Sequence, residues 1–189
     1  MRKARWTTAG PALSRFDAID LRSASTDLTA TVVPGAGMVV ASLRDRGTEL
    51  LGQRFGVHAY VERGATMGIP LLHPWANRLA GDSFVFDGVE VRLPDSGGGV
   101  RREEHGLPIH GLLAGSPHWT VMPDEDPAGS SAIAAELDFG AHPELMANFP
   151  FAHRLRLEIA LAGRTLTVHT TLTATGERPV PAAFSVTVA

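Results

Sequence analysis

Residues Arg154–Thr173 read RLRLEIALAGRTLTVHTTLT, and this stretch decides the fold. Arg154, Arg156 and Glu158 alternate with Leu155, Leu157 and Ile159. After Ala162-Gly163, Leu166, Val168, Thr170 and Leu172 alternate with Thr167, His169, Thr171 and Thr173. Successive side chains of an extended chain point to opposite faces. A period of two sustained this long therefore specifies a strand with one wet face and one buried face. Two such runs about a glycine turn predict an antiparallel pair over Arg154–Leu161 and Thr165–Thr173.

Working outward, the same logic places a hairpin upstream. Gly68–Pro94 reads GIPLLHPWANRLAGDSFVFDGVEVRLP. Asp87-Gly88 separates Ser83–Phe86 from Val89–Leu93, and Asp-Gly suits a type I′ turn because both central residues need positive φ. Leu28–Val33 and Met38–Arg44 are β-branched runs split by Pro34-Gly35-Ala36-Gly37. Val57–Val61 predicts a short strand, as do Trp119–Met122 and Ile133–Phe139. His142–Ala147 predicts one helical turn, and Asp95–His105 a solvated loop. No segment holds a 3.6-residue period over a dozen positions. With 20 Gly and 13 Pro as punctuation, the fold class is all-β, a β-sandwich. Residues 1–27 are expected to be a loosely ordered N-terminal segment, and residues 28–189 one β-sandwich domain.

The totals bound function. At 189 residues, 44% hydrophobic and 20% charged, the chain is expected to bury a core. A net charge of -3 with scattered arginines gives no footprint for nucleic acid or a membrane surface. The absence of cysteine excludes disulfides, thiol catalysis and thiolate metal sites. No apolar run is long enough to span a bilayer, and MRKARWTTAGPALSR lacks the apolar core of a signal peptide. The expected location is the cytoplasm.

Three residues stand out as candidate ligand-binding groups. His110, followed by Gly111, offers an imidazole where a backbone or ligand can approach closely. Arg78 offers a planar fork for vicinal hydroxyls or a phosphate, and Asn77 shares its loop. His73, before Pro74, reads as a packing residue. His105 and His110, with Glu103 and Glu104, lie in a loop that does not fix metal geometry. His58, His118, His142, His153 and His169 show no ligand spacing, so no metal is expected. Trp75 and Trp119 suit either a sugar face or the core. The residues alone point to a polar small ligand such as a sugar.

In this order the motifs resemble the aldose 1-epimerase (galactose mutarotase) family. Val33–Leu51 is similar to its opening hairpin, and Gly68–Leu93 to its G-x-P-L-L-x-P-x-x-N-R segment and following hairpin. Ile109-His110-Gly111 with Trp119 is similar to its histidine-glycine loop, and Phe149–Leu172 with Gly176 and Pro181 to a later strand pair. The resemblance implies a β-supersandwich whose members interconvert α and β anomers of an aldose such as galactose or glucose, without a cofactor. A carboxylate takes the O1 proton and an imidazolium protonates the ring oxygen. It implies sugar binding by Arg78 and Asn77, with His110 as a binding and catalytic group.

It also implies that groups are missing. The second histidine motif begins at Pro181-Ala182-Ala183-Phe184, but no histidine follows Phe184, and the family's glutamate base lies further on. Asp95, Glu103 and Glu104 have nothing in the sequence to hold them as a replacement. The expectation is a truncated or frame-shifted chain that lacks its base. Its apolar tail Phe184–Val188 and the outer edge of the strand Thr165–Thr173 would lack pairing partners. A carbohydrate-binding domain without catalysis, and a sugar-phosphate 1-epimerase relative in which Arg78 with Arg101 or Arg102 would meet the phosphate, are the alternatives.

Overall fold

The computed structural model describes residues 16–123, 131–186 and 188. In chain order the strands are β1 (Ile19–Arg22), β2 (Leu28–Val33), β3 (Val39–Asp45), β4 (Thr48–Glu49), β5 (Leu71–Leu72), β6 (Ser83–Phe86), β7 (Val89–Arg92), β8 (Thr120–Val121), β9 (Ala132–Asp138), β10 (His153–Ala162), β11 (Thr165–Ala174) and β12 (Ser185–Val186). Two short helices join them, α1 (Gly56–Arg63) and α2 (Pro143–Met146). One four-stranded sheet runs β1-β2-β3-β4 and the other β11-β10-β9-β8, all antiparallel. Among the described residues, no helix is long and apolar enough to cross a membrane.

The alternation in Arg154–Thr173 builds the core as expected. β10 and β11 pair from His153↔Ala174 to Ala162↔Thr165. Leu155, Leu157, Ile159 and Leu161 of β10 are buried, beside Ile133, Ala135 and Leu137 of β9. They join Leu21, Leu28, Ala30 and Val32 of the other sheet in one core cluster. The outward side chains form a ladder of exposed ion pairs, Arg156 with Glu136 and Glu158, and Glu158 with His169. Such pairs contribute little to stability. The second hairpin also forms, with Phe86↔Val89 flanking the turn and φ of 49° at Asp87 and 72° at Gly88, as a type I′ turn requires.

Three expectations are corrected. Val57–Val61 lies within helix α1, not a strand. Val57, Tyr60 and Val61 share the i, i+3, i+4 spacing of one helical face, and that face packs on Val33, Ala36, Val39, Ala41 and Met67. The segment 1–27 contains strand β1, whose Leu21 is fully buried and whose four residues pair with β2, while residues 1–15 lie outside the described residues. The tail is not wholly unpaired either: β12 adds antiparallel to β5, through Ser185↔Leu72 and Val186↔Leu71. Phe184, Val186 and Val188 are nonetheless exposed.

Among the described residues, β11 is a ten-residue sheet edge. A long edge is a template for pairing with another chain, and lysine on it blocks such pairing. Sedimentation velocity of the wild type should show concentration-dependent association that is reduced in a Thr171→Lys/Thr173→Lys double variant. Identical profiles would show that association, if any, uses another surface.

Candidate functional site

The site is built on two loops that zip together. Arg78 and Ile109 form an antiparallel bridge. Leu79 N–H donates to Pro108 O (2.9 Å) and His110 N–H to Asn77 O (3.3 Å). Residues 32 positions apart in sequence thus become neighbours, and Asn77, Arg78 and His110 share one loop cluster. Gly111 then turns the chain onto the His73-Pro74 backbone. Its φ is 68°, and a Cβ there would lie 2.2 Å from His73 O. The glycine after His110 therefore serves a backbone contact. It lets the Leu112 and Leu113 amides both donate to His73 O, at 2.8 and 3.2 Å.

His110 itself adopts a left-handed φ of 65°, an uncommon conformation for a residue with a Cβ. Its Nδ1 lies 3.1 Å from Ala76 O. A carbonyl only accepts, so Nδ1 carries the proton and Nε2 of the neutral ring is left as an acceptor. The half-buried ring lines a cleft of about 650 Å³, together with Arg101, Gly98, Ser116, His118 and Glu144.

Arg78 does not line that cleft. Its half-exposed guanidinium sits at the loop rim, with Nε 3.5 Å from Glu103 Oε2. Glu103 is held after all, contrary to the expectation for its loop. Its Oε1 accepts the His105 and Leu107 amides at 2.9 and 3.1 Å, and the side chain is only 8% exposed. Partial burial pushes its pKa up, but the Leu107 and His105 amides, with the charges of His105 and Arg78, outweigh this and hold it below the ordinary carboxylate range. An ionised Glu103 fixes Arg78. A carboxylate so stabilised is a weak base.

Arg101 and Arg102 face inward. Arg101 Nη2 donates to Tyr60 O and Ala114 O at 2.9 and 2.8 Å, with its guanidinium over the Tyr60 ring. Arg102 donates to Asp82, Gly106 O and Pro94 O. Trp75 and Trp119 are buried in the core and present no sugar-stacking face.

Two histidine groupings escaped the sequence reading. His73, read as a packing residue, is fully buried against His153, 80 positions away, with Nε2 to Nε2 at 2.9 Å. His153 Nδ1 donates to Phe151 O at 2.6 Å, so its Nε2 accepts and His73 Nε2 donates. Phe139 stacks on His153 at 4.4 Å and Phe149 meets His73 edge-on. Burial first, and then the neighbouring His153, pushes the His73 pKa down to about 3. The second grouping is His118, His142 and Glu144, whose ligand atoms all lie within 4.8 Å of one another. The spacing of His118 and His142 in the sequence predicts no ligand pattern, and the fold nonetheless brings them together. Sequence spacing could not reveal the cluster, since His118 precedes β8 and His142 caps α2, 24 positions later.

The chain is similar in fold to the Slr1438 protein of Synechocystis sp. PCC 6803, at a TM-score of 0.61 and 20% identity, over 94% of this chain and 53% of that one. It is similar to a galactose mutarotase-like protein of Clostridium acetobutylicum, at a TM-score of 0.63 and 21% identity, over 78% of this chain and 43% of that one. A third, from Lactobacillus casei ATCC 334, is also described as galactose mutarotase-like. It matches at a TM-score of 0.62 and 16% identity, over 87% of this chain and 46% of that one. The chain spans about half the length of these solved proteins. No curated protein matches it. The family model for aldose 1-epimerase matches residues 21–188, which include the Asn77-Arg78 loop, the His110-Gly111 loop and the β10–β11 pair, and so the chain belongs to the aldose 1-epimerase family.

Proposed function

We propose that the chain carries the sugar-holding part of an isomerase that interconverts the α and β anomers of an aldose such as galactose or glucose. Arg78 and Asn77 bind ring hydroxyls, and His110 binds and polarises the sugar through Nε2. The observation that carries this reading is the zipped loop pair, in which the Arg78–Ile109 backbone bridge brings the Asn77-Arg78 and His110-Gly111 loops together. Glu103 orients the guanidinium and leaves its outer donors for vicinal hydroxyls. The sugar-phosphate alternative is disfavoured because Arg101 and Arg102 are committed to internal acceptors.

Anomer exchange needs a base at O1 and an acid at the ring oxygen acting together. With Nδ1 held by Ala76 O, the imidazolium form of His110 can donate to the ring oxygen from Nε2. Glu103, stabilised as a carboxylate, does not suit the role of base. The 189 residues are therefore expected to bind sugar and to catalyse weakly. Titration of galactose followed by NMR should give saturable binding that Arg78→Ala weakens by about 1.5–3 kcal/mol, the range for charged hydrogen bonds. Unchanged binding in Arg78→Ala would remove the sugar from this loop. Polarimetry on α-D-galactose separates the readings. A rate near that of buffer fits a chain that binds without its base, and a large acceleration abolished by His110→Ala would mean that a full acid-base pair lies within these residues.

A further inference from the structure

Beside the cleft that His110 lines is a second cluster of ligand-capable side chains, His118, His142 and Glu144. His118 Nε2 lies 2.9 Å from Glu144 Oε1, and His142 Nδ1 lies 3.7 Å from the same oxygen. The two imidazoles stack at 3.9 Å with planes 29° apart, and two ring nitrogens and a carboxylate oxygen lie within 4.8 Å of one another. We propose that His118, His142 and Glu144 form a binding site for one divalent transition-metal ion of the zinc type.

Three observations carry this. The donor set, two imidazoles and a carboxylate, is the borderline-soft combination that suits zinc. The spacing also fits. Ligand atoms about 2.0–2.2 Å from a tetrahedral ion lie about 3.4 Å apart, and the two nitrogen-to-oxygen separations here, 2.9 and 3.7 Å, bracket that value. Finally, the residues are positioned from different elements. His118 sits on the approach to β8 and is two-thirds or more buried, with its amide near Ser116 Oγ. His142 is the N-cap of α2, and Glu144 lies in its first turn. The turn is pinned from beneath by buried Asn148, which donates to Gly98 O and Glu144 O.

Three protein ligands leave a fourth position open. His118 and Glu144 both line the cleft that His110 lines. An ion held there would present its open position to the same space and polarise an oxygen of a bound hydroxyl or carbonyl compound, or of water. The site does not depend on the sugar reading, because none of its ligands is used there.

The test is direct binding to the full chain. Co²⁺ titrated into chelator-treated protein should give one equivalent with the intense visible absorption of tetrahedral nitrogen-oxygen coordination, and Zn²⁺ should displace it. His142→Ala should weaken Zn²⁺ binding by about 100-fold or more, at or beyond the upper end of what second-shell losses cost. Glu144→Gln changes an exposed side chain and keeps its shape, so it tests the site independently of any effect of the histidine variant on folding, and it should also weaken binding. His169→Ala, on the outer sheet face beside Glu158, should leave binding unchanged. Weak uptake at several sites, or binding that survives both ligand variants, overturns the proposal. Loss of galactose binding in Arg78→Ala with Zn²⁺ binding intact would leave the metal site standing, and the reverse result would leave only the sugar reading.

Discussion

Gly111→Ala is expected to cost the fold about 4 kcal/mol. Two effects add. A residue with a Cβ in the left-handed region is disfavoured by about 1–2 kcal/mol. The new methyl would also lie 2.2 Å from His73 O and 2.3 Å from its carbonyl carbon, both backbone atoms in a packed interior. Relieving that contact must push the His110-Gly111 loop away from His73-Pro74, at about 1–3 kcal/mol for an overpacked site. Against a total stability of about 5–15 kcal/mol this is a large fraction. Gly163→Ala separates the two effects. Gly163, in the β10–β11 turn, has a φ of 58° but no atom within 4 Å of its would-be Cβ, so it should lose only the conformational part. Urea unfolding of both variants checks this, and equal losses would mean that the His73 contact is unimportant. Because Gly111 sets the position of His110, Gly111→Ala should weaken sugar binding as well.

The second large effect is acid instability driven by the buried histidine pair. His73 has a folded pKa of about 3 because burial disfavours its charged form, whereas the unfolded chain titrates near 6.5. Below pH 6.5 the unfolded state takes up a proton that the folded state refuses. Stability therefore falls as pH drops from about 6.5 toward 3, by up to about 1.4 kcal/mol per unit. From His73 alone the loss should reach about 3 kcal/mol by pH 4. His153 is also pushed down by burial, against the opposing Phe151 carbonyl and Asp138 charge, and acts in the same direction. Glu49 and Glu158 have lowered pKa values and begin to matter only at more acidic pH. Denaturation between pH 6.5 and 5 thus reads mainly histidines. His73→Gln keeps a donor toward His153 but cannot titrate, and should remove about one proton's worth of slope in that interval. An unchanged slope would place the pH dependence elsewhere.

The sequence by itself determined the elements whose cause is local. Side-chain alternation in Arg154–Thr173 fixed which face of β10 is buried, because a shift of one residue would turn Leu155, Leu157 and Ile159 out to solvent. Asp87-Gly88 fixed its hairpin through the sign of φ. The order of the Asn77-Arg78 and His110-Gly111 motifs pointed to the family. Val57–Val61 looks like a strand because two β-branched residues mimic one in a five-residue window, and only packing against Val39 and Met67 favours the helix.

Only the tertiary structure decided what lies far apart in sequence. Glu103 looked unsupported because its anchors are the amides of its own turn, whose shape depends on the loop closing at Arg102 and Pro108. The His73–His153 pair joins positions 80 apart, and His118 meets His142 and Glu144 through two loops with no shared periodicity. Backbone propensity acts over a few neighbouring residues. Convergence of side chains on one point depends on how sheets and loops stack, and no short-range pattern in the chain encodes it.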